Sequence, residues 1–194
     1  MTVLANVLTS GRAAGKAYPE GRPIMLNVLG RSKVMKCAAD RLYAAVVTRA
    51  RQPVFFVNFA VLDTLDGRFD LLMLHAWLVL TQIKTNAPLA QAFVDRLFIG
   101  FDEALRELGA GDIGMGRRVK KLADAFYGRL AAYDAAIDVD AMSAALTRNL
   151  YRGAENPCAG AMAAYVLGAK AHLRLTQKGE VDFGPLPSSD SGQE

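Results

Sequence analysis

Apolar residues recur along most of this chain at helical spacing. Between 88 and 108, Phe93, Leu97, Phe101, Leu105 and Leu108 follow one another at four, four, four and three residues, which aligns them on one helix face. Between 114 and 136, Val119, Leu122, Phe126, Leu130 and Tyr133 form a second stripe, with Arg117, Arg118, Lys120 and Lys121 spread over the opposite half. Two denser runs, LLMLHAWLVL at 71–80 and CAGAMAAYVLGA at 158–169, read by default as core helices, with an interfacial position as the alternative. The same logic predicts helices at 33–51, 66–86, 88–108, 114–136, 139–152 and 157–176, with Pro53, Pro88 and Pro157 at boundaries or in first turns. One β-like patch, PVFFVNFAVL at 53–62, lacks clean alternation and a hairpin partner. Short connections and the lack of an internal repeat point to an all-α fold, a single-domain bundle of about six helices over 31–177. A flexible segment, 1–30, precedes it. The polar, Ser-, Gly- and Pro-rich tail from 178 to 194 is expected to be loose.

Composition narrows this picture only modestly. An apolar share of 52% and a charged share of 22% in 194 residues suit one globular domain with a sizeable core. The net charge of +4 and pI of about 9.2 would suit an anionic surface such as a ribosome or phospholipid headgroups. Cys37 and Cys158 have no metal-like spacing and imply no disulfide framework, so a reducing, cytoplasmic compartment fits best. Neither apolar run reaches the roughly eighteen residues a spanning helix needs. The first thirty residues lack the continuous apolar stretch of a secretory signal. Their basic character superficially resembles a transit peptide, but Met25 is expected to be the initiator, leaving residues 1–24 untranslated.

Few motifs survive a physical check. Gly109, Gly111 and Gly114 match G-x-G-x-x-G, but that phosphate loop needs a strand before its first glycine, and here a helical pattern leads in. A helix-to-helix turn, with Gly109 as terminator and Asp112 as N-cap, is the better account. Asp63, Asp66 and Asp70 resemble a calcium loop out of register, and Asp66 with Gly67 is expected to cap the following helix. No metal or cofactor is implied. The chain has two histidines, His75 and His172, with no serine or cysteine placed near either by sequence, so a hydrolytic triad lacks support. His75, set in an apolar helix, reads as a hydrogen-bonded core residue, with a pocket as the competing role. Cations in the first turns of a helix oppose its dipole. They call for neutralisation, by Asp112, Asp124, Glu103 or Glu107, or by an external anion. Ala125, Gly128 and Ala132, and likewise Gly160, Ala164 and Gly168, follow small-residue spacing suited to close packing inside the bundle or to a docked helix.

Several ordered stretches also have a familiar wording: LYAAVVTRARQPVFF (42–56), LDTLDGRFDLLMLHAWLVL (62–80), FDEALRELGAGDIGMGRRVKKLADAFYGRLAAY (101–133) and ALTRNLY (145–151). Over residues 40–152 the chain resembles the ubiquinol-cytochrome c chaperone family, in the form of a bacterial member. The resemblance implies a non-enzymatic, helical assembly factor for the cytochrome bc1 complex, without cofactor, whose partners are a bc1 subunit, foremost cytochrome b, and a ribosome or anionic membrane surface rather than DNA. It places the protein in the cytoplasm, peripheral at the inner face of the cytoplasmic membrane. Arg117, Arg118, Lys120, Lys121 and Arg129 are the candidates for client or anion binding, and His75, Trp77, Tyr127 and Gly128 for a pocket or docking face. A peripheral lipid- or quinone-binding protein is the alternative, which an apolar cavity ending at His75 would favour.

Overall fold

LLMLHAWLVL folds as the second half of a helix that is buried without a break from Met73 to Leu80. A helix apolar all round belongs in the middle of a bundle. The computed structural model describes residues 24–107, 115–176 and 180–187, with side chains over 33–107, 120–176 and 180–187. In chain order the described elements are α1 (Ile24–Ala50), α2 (Val54–Val57), α3 (Leu65–Ile83), α4 (Ala87–Glu107), α5 (Met115–Ala135), α6 (Val139–Asn149), α7 (Ala159–His172), β1 (Arg174–Leu175) and β2 (Val181–Asp182). Helix α3 is the hub, touching α1, α4, α5 and α7, while α1 lies along α4 and α6 pairs with α7. The all-α class expected from the hydrophobic pattern is the one observed.

The helix ends follow local chemistry. Thr64, extended at φ −114° and ψ 166°, caps α3 by accepting a 3.1 Å hydrogen bond from the Gly67 N–H. The cap is therefore Thr64, not Asp66, which instead lies in the first turn. Gly67 is required sterically, because a Cβ there would come within 2.0 Å of the Leu62 carbonyl oxygen. Asp138 caps α6 by accepting from the Ala141 N–H at 2.8 Å. Beyond the end of α6, Arg152 (φ 56°) and Gly153 (φ 82°) take successive left-handed conformations that turn the chain.

Three expectations change. Helix α1 begins at Ile24, so part of the segment expected to be flexible is helical. The β-like patch forms the single turn α2, because Pro53 opens a helical start and its carbonyl and that of Val54 accept from Val57 and Asn58. Third, residues 181–182, within the tail expected to be loose, pair antiparallel with β1 in the register Arg174 with Asp182 and Leu175 with Val181. Phe183 beyond them is buried. The Gly109–Gly114 turn with Asp112, residues 1–23, and the side chains of Arg117, Arg118 and Val119 lie outside the described residues.

Candidate functional site

Asp70 and His75 are the buried polar residues of the core among the described residues, and both sit on α3. Asp70 follows from the capped start at Thr64, which turns its carboxylate inward toward α5 and the end of α6. Arg129 of α5 places Nη2 at 2.9 Å from Oδ1, and Arg152, presented by its left-handed turn, donates from Nη2 to Oδ2 at 3.0 Å. The other Arg152 nitrogen, Nη1, reaches Asp66 at 3.1 Å. Burial pushes the Asp70 carboxyl up to about 6, against the pull of the two guanidiniums. Arg129 meets Oδ1 off its N–H direction: Oδ1, Arg129 Nε and the Tyr133 hydroxyl are buried without a hydrogen-bond partner. The 2.9 Å contact is thus an ion pair rather than an aligned hydrogen bond.

His75 is handled differently. Its Nδ1 lies 2.8 Å from the Leu71 carbonyl and its Nε2 2.8 Å from the Tyr165 hydroxyl. Since a carbonyl only accepts, Nδ1 carries the proton and Nε2 accepts from Tyr165. The Tyr165 oxygen in turn accepts from Arg49 Nε at 3.0 Å, and the Arg49 Nη2 donates to the Pro185 carbonyl. Burial first, with the nearby Arg49 charge adding to it, lowers His75 to about 4, so the ring is neutral at physiological pH. Phe55, at 5.1 Å, and Phe183, edge-on at 5.7 Å, complete an aromatic enclosure.

The other candidate residues separate into buried and exposed groups. Trp77 is core: its indole N–H donates to Asp134 at 2.7 Å, and the Lys170 ammonium lies 5.0 Å from its ring centre. Tyr127 is half-buried, edge-on to Phe126. Gly128 is exposed, and a Cβ there would meet nothing within 4 Å. Gly160 and Gly168 are equally open, so the small-residue line on α7 does not serve tight packing inside the bundle. Lys120 and Lys121 are exposed. Arg129, expected beside them as an anion contact, is only 18% exposed and is directed at Asp70. Glu103, one expected neutraliser of the cations, is engaged by Arg96. His75 is fully buried and lines none of three surface cavities found among the described residues, whereas an apolar cavity ending at it would have favoured the lipid- or quinone-binding alternative.

Sequence reasoning missed the Asp70 centre, yet a signal existed. Arg129 stands three residues after Phe126 and four before Tyr133, which puts it on the apolar stripe of its helix. A cation in that register needs a buried counter-charge.

The sequence profile of the ubiquinol-cytochrome C chaperone family matches residues 57–181. The chain belongs to that family. The matched span runs from the end of α2 to the start of β2 and contains Asp70, His75, Arg129 and Arg152, whereas the wording of the chain alone suggested a limit near 152. Ubiquinol-cytochrome-c reductase complex assembly factor 1 of Xenopus laevis is 26% identical over 122 residues, covering 60% of this chain and 61% of its own length. The Mus musculus protein of the same description is 24% identical over 123 residues, 60% of this chain and 42% of its own length. The chain therefore matches less than two thirds of the length of either relative. The crystal structure of the Cbp3 homologue from Brucella abortus superposes with a TM-score of 0.67 at 41% identity, covering 76% of this chain and 87% of that one. No helix among the described residues is long and apolar enough to cross a membrane.

Proposed function

We propose that the chain is a binding-only assembly chaperone for the cytochrome bc1 complex, which holds newly made cytochrome b at the membrane or ribosome. The observation that carries this reading is the family match over 57–181, which contains the hub helix α3. The two similar proteins from Xenopus laevis and Mus musculus are described as assembly factors for the ubiquinol-cytochrome-c reductase complex. Asp70 is engaged by Arg129 and Arg152, and His75 by the Leu71 carbonyl and the Tyr165 hydroxyl. What faces outward is suited to holding a partner. Val57 (79% exposed), Leu62 (65%) and Leu65 (54%) offer apolar contact to a membrane-destined client. Lys120 and Lys121, continuing the cationic run from Arg117 and Arg118, offer charge to phosphate. The enclosed setting of His75 argues against the lipid- or quinone-binding alternative.

Deletion of the gene is the direct test. Quinol-dependent cytochrome c reduction and cytochrome b abundance are expected to fall together, with ATP synthase assembly unchanged. Normal bc1 levels in the deletion strain, in the absence of a second gene copy, would overturn the proposal.

A further inference from the structure

The chain after β1 doubles back and lies across the surface between α1 and α7, and its packing is unlike that of any helix. One side chain anchors it. Phe183 is buried against the edge of His75, while Asp182 pairs with His172 at the surface and Val181 is half-buried. The backbone is held by two ladder positions, by the Thr176 N–H on the Glu180 carbonyl, and by Arg49 on the Pro185 carbonyl. Gly184, at φ 76°, makes the bend beside His172, where a Cβ would come within 2.8 Å of the imidazole.

Two cavities flank this segment. One, of about 570 Å³, lies on the α1 side beside Thr48, Arg49 and Gln52. The other, of about 430 Å³, lies on the α7 side beside Ala164, Tyr165 and Gly168. Phe183 and Leu186 line both, so the segment is the partition between them. Beneath it the floor is already satisfied: both nitrogens of His75 bond to Leu71 and Tyr165, and the Tyr165 hydroxyl bonds to Arg49, with no bond to the segment. Lifting the segment would free the Arg49 guanidinium, His172 and the ladder groups of β1, all on exposed or half-exposed residues, so it strands no buried polar group, and that is the property of a piece that opens locally.

We propose that residues 181–187 are a displaceable strap, and that the trough beneath them binds an extended segment of a partner protein. The strap itself specifies the chemistry of that segment: an aromatic side chain to stand edge-on to His75 between Phe55 and Tyr165, and, two residues on, a backbone carbonyl for Arg49. The strap therefore acts as an internal competitor, and a partner gains the trough only by replacing it. The site is separate from the cationic start of α5, and it does not depend on which membrane protein is the client.

A fluorescently labelled synthetic peptide of residues 180–187, EVDFGPLP, tests this by anisotropy on the full-length chain. Weakening the tethered competitor with Phe183→Ala is expected to tighten peptide binding by about tenfold or more over the wild type, because a tethered segment competes at high effective concentration. The same peptide carrying Phe183→Ala is expected not to bind. Absence of binding to the Phe183→Ala chain, with its helical circular dichroism intact, would overturn the proposal. If that variant does not fold, hydrogen exchange on the wild type decides. Amides of Thr176 and Gly184 should exchange about a hundredfold or more faster than those of Leu74 and Leu78, and equal protection would show the strap to be a fixed part of the core. Because no bc1 subunit enters either assay, failure here leaves the assembly reading untouched.

Discussion

Asp70 and His75 lie little more than one turn apart on α3, both without exposed surface, and the chain keeps them in opposite ways. Asp70 is surrounded by charge brought from elsewhere, Arg129 from α5 and Arg152 from a left-handed turn after α6. His75 is kept neutral, with one bond to its own helix and one to a tyrosine. The first arrangement ties three regions together but leaves Oδ1, Arg129 Nε and the Tyr133 hydroxyl without partners. The second leaves no ring nitrogen unsatisfied. A buried charge thus fixes how remote parts of the chain meet, whereas a buried neutral ring mainly fills and satisfies its own neighbourhood.

Removing the Asp70 carboxylate should have the largest effect. Asp70→Ala leaves the Arg129 guanidinium buried without its counter-charge and is expected to cost about 3–5 kcal/mol in urea denaturation. Asp70→Leu combined with Arg129→Met should recover most of that loss, since Arg152 can turn to water. A double variant as unstable as the single one would mean that the pair itself, rather than the stranded charge, holds the helices.

Acidification separates the two residues by sign. His75 has a folded value of about 4 against the ordinary 6.5, so the unfolded chain takes up the proton first. Its contribution is complete above pH 6.5 and is lost toward pH 4, at about 1.4 kcal/mol per pH unit. Asp70, raised to about 6 from 3.8, is protonated first in the folded chain and so favours folding as pH falls from 6 to 3.8. His75→Leu is expected to cost about 1–3 kcal/mol at pH 7 by stranding the Leu71 carbonyl and the Tyr165 hydroxyl. Its deficit relative to wild type should then shrink steadily below pH 6.5. Parallel stability curves for the two proteins would show that His75 is not kept neutral.

Smaller effects are expected at the surface of α5. Gly128→Ala should raise stability by about 0.5–1 kcal/mol, since the added methyl meets open space and the helix gains propensity. A stability gain accompanied by loss of client copurification would assign Gly128 to docking. Changing Lys120 and Lys121 to Gln should leave stability within about 0.5 kcal/mol while weakening pelleting with anionic vesicles. A clear fall in melting temperature would instead place these ammoniums in internal ion pairs.

What could be read from the sequence was what periodicity encodes. The stripe Phe126, Leu130 and Tyr133 is buried as expected, and the run through His75 is the hub helix. His75 itself was legible because one polar residue in a long apolar run must find partners nearby. Asp70 was not, because its partners come from positions 129 and 152: the register of Arg129 marks it as turned inward, but nothing in a linear pattern announces which carboxylate meets it. The hairpin escaped for another reason: strands of two residues carry no period. Its trace was Phe183, a lone aromatic in an otherwise polar tail. The left-handed conformation at Arg152 was also invisible, since Gly153 beside it is the residue that invites such a turn.

The Arg152–Asp70 contact bridges 82 positions of chain, and that separation has a kinetic meaning. Closing so long a loop is entropically unfavourable, and two charged groups must shed water at the moment they meet. Contacts of this sort are made after the folding barrier has been crossed, while helix pairs close in sequence are already docked. Interactions absent from the barrier state govern how quickly a protein comes apart rather than how quickly it forms. On this reasoning Asp70 is expected to belong to the clasps fastened late and released early. In a chevron measurement, Asp70→Asn is expected to speed unfolding while leaving the refolding rate nearly unchanged.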